Sequence, residues 1–440
     1  MLPTVYICIE QKNREYDEKL LLASELSLNG FRCYVGTHEA IWRLLQFKKD
    51  SYGIYLDKGT QPIEKMKWIK TKCQYLVVMD VELGPVVQDM DLMFSSLEGL
   101  PNLNRLYPGS ENLVDSYLCI GPKVFDGAKA AFTNKKAKVV MTGWPRMDLW
   151  QKFGKDLYSK EITEIVNKMG AFLLFASNYT WLSSPGPQKV SDGDWEMRKE
   201  AFSNFQKAIQ TLKIWDDEVE IPRIIVRPHI SEDIKVWKKE LRGLKKTHVI
   251  HQGDILPWIH ASKGVIHTGS TSVVQAELAG KPSYFLSEAA VSYTSDISKQ
   301  ISTFQVSINH GPKLNRQLIE RNLSNPNKTK LLESVLFFSK QGPTLTIVDF
   351  FSKLDTSPSS QISRVKLIFA QMSFKSAKRS AGLLKHEFLW ALGLTKNPSQ
   401  LHNTPFGLGM EPIKRMHRLK PTYAELKVRA ITINLWEISL

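Results

Sequence analysis

The chain has few cysteines, and their spacing gives them no metal-binding or disulfide role. The 440 residues include four cysteines, at positions 8, 33, 73 and 119, without CxxC spacing. This usage is typical of reduced, buried thiols in a cytoplasmic protein and argues against a disulfide framework or a zinc site. The ten histidines contain no HExxH pair. We therefore expect no resident metal and no cofactor.

Other familiar sequence patterns are also missing. No apolar run reaches the roughly 18 residues that would span a bilayer, and the first residues lack the basic head and cleavage site of a signal peptide. We expect a cytoplasmic protein that is soluble, or peripheral on the inner face of the cytoplasmic membrane. No GxGxxG follows a predicted first strand, which argues against a dinucleotide-dependent enzyme.

What is present is an alternation of strand-like and helix-like segments. With 42% hydrophobic and 23% charged residues, a chain of this length can form two core-bearing domains and an appendage. The alternation predicts α/β architecture with two Rossmann-like domains, over residues 1–155 and 165–354, in a GT-B arrangement. The predicted strands cover residues 5–9, 31–35, 53–56, 75–79, 116–120 and 138–141 in the first domain, and 172–176, 224–226, 248–250, 264–267 and 283–285 in the second.

A basic segment follows a Ser/Pro linker near residue 357. Residues 361–420 hold eleven Lys or Arg against two Glu, a net charge of +9. We predict a basic helical extension over residues 361–440 that associates with an anionic membrane surface through residues 361–420. The alternative is a helix packed on the body with a solvated basic back. Nucleic acid is not an expected partner, because no recognised binding module accompanies the charge.

The second predicted domain carries the most informative pair of motifs. The strand at 224–226 delivers Arg227 and His229 at its end, and the strand at 264–267 is followed by the hydroxyl cluster Ser270, Thr271 and Ser272. Ligands of open α/β sheets collect at the carboxyl ends of the strands. The backbone N–H groups expected to be free after Gly269, together with the side chains of Arg227 and His229, then predict a site for a nucleotide phosphate. Alternatively, the hydroxyls only cap a helix.

The first predicted domain brings charged residues to its own strand ends. Asp80 and Glu82 follow the strand at 75–79, and either carboxylate could serve as a general base or simply cap the next helix. Glu10, Lys12 and Arg14 follow the first strand. They could hold the acceptor or the carboxylate of the donor sugar, or form an ordinary helix start.

One further segment closes the first predicted domain. The sequence Gly-Trp-Pro-Arg-Met-Asp ends at Asp148, and proline restricts its turn. We expect Arg146 and Asp148 to pair and to fix the joint between the domains.

These motifs, in this order, resemble the bacterial surface carbohydrate biosynthesis proteins. The Arg-Pro-His and Ser-Thr-Ser pair is also similar to motifs of GT-B enzymes that use CMP-activated acidic sugars, namely sialyltransferases, polysialyltransferases and capsule Kdo transferases. The matching segments lie at residues 9–15, 53–58, 143–148, 226–233, 269–272 and 279–282.

The resemblance implies a function and residue roles. It places CMP contacts on His229 and on residues 270–272, the base on Asp80 or Glu82, and a donor-pocket position on Asn178. Gln275 stands where the family has glutamate. We expect a metal-independent glycosyltransferase that moves an acidic ulosonic sugar, a nonulosonic acid or Kdo, from CMP onto a surface polysaccharide or lipid-linked glycan such as capsule, O-antigen or lipopolysaccharide.

Two other functions stay open at the level of sequence. The first is a transferase for a UDP-sugar or CDP-polyol, or a GT-B-like sugar-nucleotide epimerase. The second is a non-catalytic assembly factor that docks on the membrane through the basic extension.

Overall fold

A computed structural model describes residues 2–10, 12–81, 106–133, 135–179, 192–219, 221–229, 232–251, 253–290, 296–302, 304–306, 326–358, 411–432 and 435–440. The chain divides into two compact units. The first unit comprises Met1–Leu83, Asp89–Asp148 and Glu333–Leu440, and the second comprises Gly84–Gln88 and Leu149–Leu332.

The first unit begins with six strands whose buried, largely β-branched and aromatic residues match the predicted apolar runs. The strands pair in parallel in the order β2-β1-β3-β4-β5-β6. The elements are β1 (Thr4–Ile9), α1 (Lys12–Leu28), β2 (Arg32–Thr37), α2 (His38–Gln46), β3 (Ile54–Asp57), α3 (Ile63–Lys70), β4 (Tyr75–Val78), β5 (Ser116–Cys119), α4 (Pro122–Ala131), β6 (Lys138–Met141) and α5 (Arg146–Trp150).

The second unit is built on a six-stranded parallel sheet in the order β12-β11-β10-β7-β8-β9. Its strands are short, and β7, β10 and β11 are fully buried, as the uninterrupted apolar runs predict. The elements are α6 (Lys152–Leu157), α7 (Ser159–Met169), β7 (Phe172–Ala176), α8 (Asp192–Asp217), β8 (Arg223–Arg227), α9 (Ile234–Glu240), β9 (Thr247–Val249), α10 (Leu256–Ala261), β10 (Val265–His267), α11 (Ser272–Leu278), β11 (Ser283–Leu286), α12 (Asp296–Ile301) and β12 (Phe304–Val306).

The remaining elements return the chain to the first unit. They are α13 (Pro326–Val335), α14 (Pro343–Ser352), α15 (Glu411–Leu419), β13 (Lys427–Thr432) and β14 (Leu435–Ser439). The predicted domain over residues 165–354 is therefore wrong at its end, because Glu333 and all residues after it belong to the first unit. Phe337 donates its backbone N–H to the Ile120 carbonyl at 2.8 Å, which fixes this return beside β5.

The prediction of a helical extension is wrong for the last residues of the chain. β13 and β14 form an antiparallel hairpin, and β14 pairs antiparallel with β2 to give an eight-stranded sheet. Leu435, Trp436 and Ile438 are buried. Because consecutive side chains of a strand point to opposite faces, β14 is covered on both faces. The helix prediction holds for α15, and residues 361–410 lie outside the described residues.

Some of the basic residues that follow the linker form ion pairs within the first unit. Arg415 on α15 contacts Asp17 of α1 at 3.1 Å, and Lys420 contacts Glu25 at 2.6 Å. The Tyr423 hydroxyl also donates to Glu25 at 2.5 Å. α15 thus packs on α1 through ion pairs. Among the described residues, no helix is long and apolar enough to cross a membrane.

Candidate functional site

The strand order of the second unit locates a ligand crevice. The chain runs outward from β7 through β8 to β9, then returns to place β10 on the other side of β7. This reversal is a topological switch point, where open parallel sheets bind ligands beyond the carboxyl ends of their strands. The two predicted phosphate motifs follow β8 and β10, the two strands that flank β7.

The end of β7 joins the two motifs through hydrogen bonds. The His229 backbone N–H donates to the Ser177 hydroxyl at 3.2 Å. The adjacent Asn178 donates from its amide to the Gly269 carbonyl at 3.5 Å. Residues after β8 and residues after β10 therefore meet the same two-residue segment, as the sequence analysis required of a shared site.

A buried carboxylate organises the β7–β8 side of this site. Glu232 is 7% exposed and accepts hydrogen bonds from the Tyr179 N–H at 2.6 Å, the Ser177 hydroxyl at 2.8 Å and the Trp237 indole at 2.7 Å. Burial raises the pKa of Glu232 and these hydrogen bonds oppose the rise. Glu232 was not predicted as a site residue, although it lies five positions after Arg227 in the same matching segment, residues 226–233.

A buried histidine fixes the loop after β10. His267 is fully buried, and its Nδ1 accepts the Gly269 N–H at 3.2 Å. Burial lowers the pKa of His267 to about 3, so the ring is neutral. With Nδ1 as acceptor, the proton lies on Nε2, which is 2.8 Å from the Ser302 hydroxyl. This bond pair holds Gly269, whose φ of 109° few side-chain-bearing residues adopt.

The hydroxyl cluster caps its helix and also leaves donors for a ligand. Ser270 accepts the Ser272 N–H at 3.2 Å, and the Val273 and Val274 N–H groups bond to the carbonyls of residues 270 and 271. These short-range bonds satisfy the N–H groups of residues 272–274, so only part of the set predicted to be free after Gly269 is available. Within the described residues, the N–H groups of Ser270 and Thr271 have no partner.

Arg227 and Gln275 are the two remaining residues that were predicted to bind the sugar nucleotide. Arg227 is 6% exposed and donates to the Gly253 carbonyl at 2.9 Å, with its guanidinium carbon 5.5 Å from the Trp258 ring centre. Burial lowers its pKa to about 10, so it stays charged at neutral pH. Gln275 is 7% exposed, and its Oε1 has no hydrogen-bond partner among the described residues.

The predicted residues of the first unit lie at the carboxyl edge of the other sheet. Asp80 directly follows β4 and is 2% exposed, whereas Glu82 lies outside the described residues. Glu10 is exposed and forms an ion pair with Lys58. Lys12 and Arg14 are half-buried in the first turn of α1, and burial lowers the pKa of Lys12.

A histidine–aspartate pair at the same edge was not predicted. His38 Nε2 lies 2.9 Å from Asp57 Oδ1, and Asp57 Oδ2 is buried without a hydrogen-bond partner among the described residues. Burial disfavours the imidazolium, but Cys8 and the Asp57 hydrogen bond outweigh it and raise the pKa of His38 to about 11. His38 and Asp57 are 19 positions apart in the chain, and the pairing of β2 and β3 with β1 brings them together.

The expected pairing of Arg146 with Asp148 is wrong. Asp148 instead accepts the Thr344 N–H at 3.0 Å, at the start of α14. Burial raises the pKa of Asp148. Arg146 is 4% exposed and lies over the Trp144 ring at 6.0 Å. Asp148 therefore secures a helix within the first unit.

Comparison with known proteins extends the fold assignment. No family model matches the chain, and no curated protein matches its sequence. A solved variant of the wall teichoic acid polymerase TagF is similar, with a TM-score of 0.51 at 10% identity, over 80% of this chain and 89% of that one. A putative UDP-N-acetylglucosamine 2-epimerase from Listeria monocytogenes gives a TM-score of 0.49 at 12% identity, over 82% of this chain and 100% of that one.

At such low identity the similarity to the polymerase concerns the fold alone. It agrees with the two α/β units found here, each built on a sheet with a parallel core. The chain therefore has an α/β fold of the GT-B class with two Rossmann-like sheets.

Proposed function

We propose that the protein is a glycosyltransferase that binds the phosphate of a nucleotide-activated sugar at the switch point of the second unit. One observation carries the proposal: the residues after β7 bond to both phosphate motifs, through Ser177 to His229 and through Asn178 to Gly269. Hydroxyls, an imidazole and unpartnered backbone N–H groups thus meet at one strand edge. Such groups bind an anionic leaving group.

The residue roles follow from this placement. The N–H groups of Ser270 and Thr271, together with the hydroxyls of residues 270–272, hold the phosphate. The half-buried His229 donates to a leaving oxygen. Arg227 donates to the Gly253 carbonyl and contributes positive charge, because a guanidinium stays protonated at neutral pH. Asp80 or Glu82 serves as the base for the acceptor hydroxyl.

The finer proposal concerns the donor. We propose a CMP-activated acidic ulosonic sugar, transferred to a surface polysaccharide or lipid-linked acceptor. The proposal is supported by the resemblance of the Arg-Pro-His and Ser-Thr-Ser motifs to those of enzymes that use CMP-activated sugars. It is also supported by the small number of hydrogen-bond donors at the site. Two free N–H groups and one histidine suit the single phosphate of CMP better than a diphosphate. Gln275, neutral where the family has glutamate, supplies an unpaired amide oxygen to the nucleoside.

Thermal-shift measurements against CMP, CDP and UDP test this proposal, since a ligand that binds the native state raises the melting temperature. CMP is expected to give the largest rise, and the His229→Ala variant to give a smaller rise with CMP and to lose CMP release from a CMP-sugar panel. A preference for UDP would overturn the CMP donor and favour a UDP-sugar transferase or epimerase. No response to any nucleotide would overturn the site itself.

A matched deletion separates an enzyme from an assembly factor. Removing residues 361–400 spares α15 and the β13–β14 hairpin. The hairpin belongs to the first sheet. Transfer activity that survives this deletion but disappears in His229→Ala identifies an enzyme. Membrane docking that is lost in the deletion, with no turnover by the unaltered protein, would identify a non-catalytic factor instead.

A further inference from the structure

A second group of cations lies at the opposite edge of the second sheet. Lys263 precedes β10 and Lys281 precedes β11, so both lie at the amino ends of strands whose carboxyl ends face the switch point. The three residues of β10 place about 10 Å between the two edges. This group is therefore distinct from the proposed donor site.

Backbone contacts bring a third lysine to the same place. The Lys281 ammonium donates to the Ser262 carbonyl at 2.8 Å, next to Lys263 in the chain. His260, two residues before Ser262 on α10, lies close to the backbone of Leu149. Gly154 lies directly against the carbonyl of Leu149. Lys155, which follows Gly154 on α6, is thereby held beside α10, and we name Lys155, Lys263 and Lys281 the lysine cluster.

The cluster has no compensating negative charge in the part of the chain that the structure describes. None of the three lysines forms a salt bridge there. Burial and the positive charges of Lys155 and Lys263 lower the pKa of Lys281 to about 8. A bound anion would relieve this mutual repulsion, and the relief would favour its binding.

A buried imidazole nitrogen gives an independent observation at the cluster. His260 is 6% exposed, and its Nε2 has no hydrogen-bond partner within the described residues. Burial lowers the pKa of His260, and the charges of Lys281 and Lys155 lower it further. A polar atom buried without a partner destabilises the folded protein, and an anion among the lysines would favour protonation of His260.

We propose that the lysine cluster is a binding site for a phosphate group, carried either by a free phosphate or by a lipid headgroup. Three ammonium groups without carboxylate partners match the charge of a phosphate dianion. One of them is anchored on Ser262, so the site is partly ordered before the ligand arrives. The ion-paired lysines of the first unit offer no such site, since Lys58 is bound by Glu10 and Glu15.

Titration of the full chain with inorganic phosphate tests the site, followed by ³¹P NMR and by the NMR signal of the Lys281 side chain. Saturable binding is expected, with the Lys281 pKa rising by about one pH unit. By linkage, that rise means about tenfold tighter binding to the protonated lysine. The double variant K155Q/K263Q should weaken binding about tenfold, because two of the three ammonium groups are lost.

The control variant is K199Q/K207Q, which removes the same charge from α8 in the same unit, where Lys199 pairs with Glu196 and Lys207 bonds to Asn204. It should bind phosphate as the unaltered protein does. Equal losses in both double variants, or an unchanged Lys281 pKa at saturating phosphate, would overturn the proposal.

Vesicles distinguish the two sources of phosphate. Cosedimentation with phosphatidylglycerol vesicles but not phosphatidylcholine vesicles, lost in K155Q/K263Q, identifies a lipid headgroup as the ligand. Inorganic phosphate binding without vesicle binding identifies a free phosphate. Failure of both arms would refute the site and would leave the proposed donor site untouched, since that site is read by nucleotide binding.

Discussion

The polar groups at the carboxyl edges of the two sheets differ in charge and in whether they pair with one another. In the first sheet these groups are charged and bind one another: Asp57 pairs with His38, and Lys58 pairs with Glu10 and Glu15. In the second sheet they are mostly neutral, and several have no partner among the described residues, including the N–H groups of residues 270 and 271 and the Gln275 oxygen.

This difference separates groups that stabilise the fold from groups that are available for a ligand. A buried ion pair recovers its desolvation cost only when each charge keeps its partner, so the pairs of the first sheet are committed to the protein. A neutral donor left unpaired costs less and gains a strong hydrogen bond when an anion arrives. The second edge is therefore the better candidate for nucleotide binding.

The sheets also differ in how they end. The first sheet continues past β2 into the antiparallel hairpin at the chain's C-terminus, whereas the second consists of parallel strands alone. Ser27 of α1 reinforces the hairpin by donating to the Ile438 carbonyl at 3.1 Å. The stability of the first unit thus depends on residues more than 400 positions from its first strand.

Removing the hairpin is expected to have the largest effect. Truncation after Leu426 removes the buried Leu435, Trp436 and Ile438, worth about 5–8 kcal/mol of apolar burial, which approaches the whole stability of a domain. Calorimetry should show the loss of one unfolding transition and the retention of the other. Two unchanged transitions would contradict this dependence, and the 361–400 deletion is the control.

Glu232→Ala should have the next largest effect, confined to the second unit. The substitution leaves the Tyr179 N–H and the Trp237 indole buried without an acceptor, at a cost of about 3 kcal/mol. Urea unfolding should record that loss, and nucleotide binding should weaken because Ser177 no longer holds His229. Glu196→Ala, at an exposed carboxylate, is the control. A variant as stable as the control would refute the organising role of Glu232.

The architecture was predictable where a strong local pattern carried it. Eleven predicted strands correspond to observed ones, because buried parallel strands are short apolar runs bounded by turns. β14 was missed because it is short, Leu435 to Ser439, and lies in a segment whose neighbours are basic and suggest a helix. Its strand pairing depends on β2, which is distant in sequence and leaves no local signal.

The candidate site was predictable in position but not in its bonding. Arg227, His229 and the hydroxyl cluster could be placed at one edge because consecutive strand ends meet there. The roles of Glu232 and His267 follow from burial and from partners on other strands, which no spacing reveals. The Arg146–Asp148 pair failed for the same reason, since Thr344, nearly 200 residues away, supplies the actual partner.

The pH dependence of stability tests whether the first edge is structural. The folded pKa of His38 is about 11, above the usual value near 6.5, so its stabilising contribution is complete below pH 6.5 and is lost as the pH rises toward 11. The stability difference between the protein and His38→Gln should fall by about 1 kcal/mol per pH unit above pH 7. Urea unfolding at pH 6, 7.5 and 9 measures it.

Three groups face the imidazole in this test: Asp57, the Cys8 thiol and, over the Trp42 ring that lies against His38, the Lys65 ammonium. Asp57→Asn should reduce the pH dependence, because it removes one of the two groups, with Cys8, that favour the imidazolium. A pH-independent difference between the protein and His38→Gln would show that the pair is not ionised, and the contrast between the two edges would fail.

The smallest effects come from a matched pair of hydroxyl substitutions, one on each sheet. Ser270 accepts the Ser272 N–H, and Thr37 accepts the Ala40 N–H at the start of α2. Each substitution by alanine should cost about 1 kcal/mol of stability, the usual value for a lost cap. Only Ser270→Ala should also weaken nucleotide binding, about tenfold, because its hydroxyl lies beside the two free N–H groups. Calorimetric titration with CMP measures both variants, and equal affinities would mean that Ser270 is a cap and nothing more.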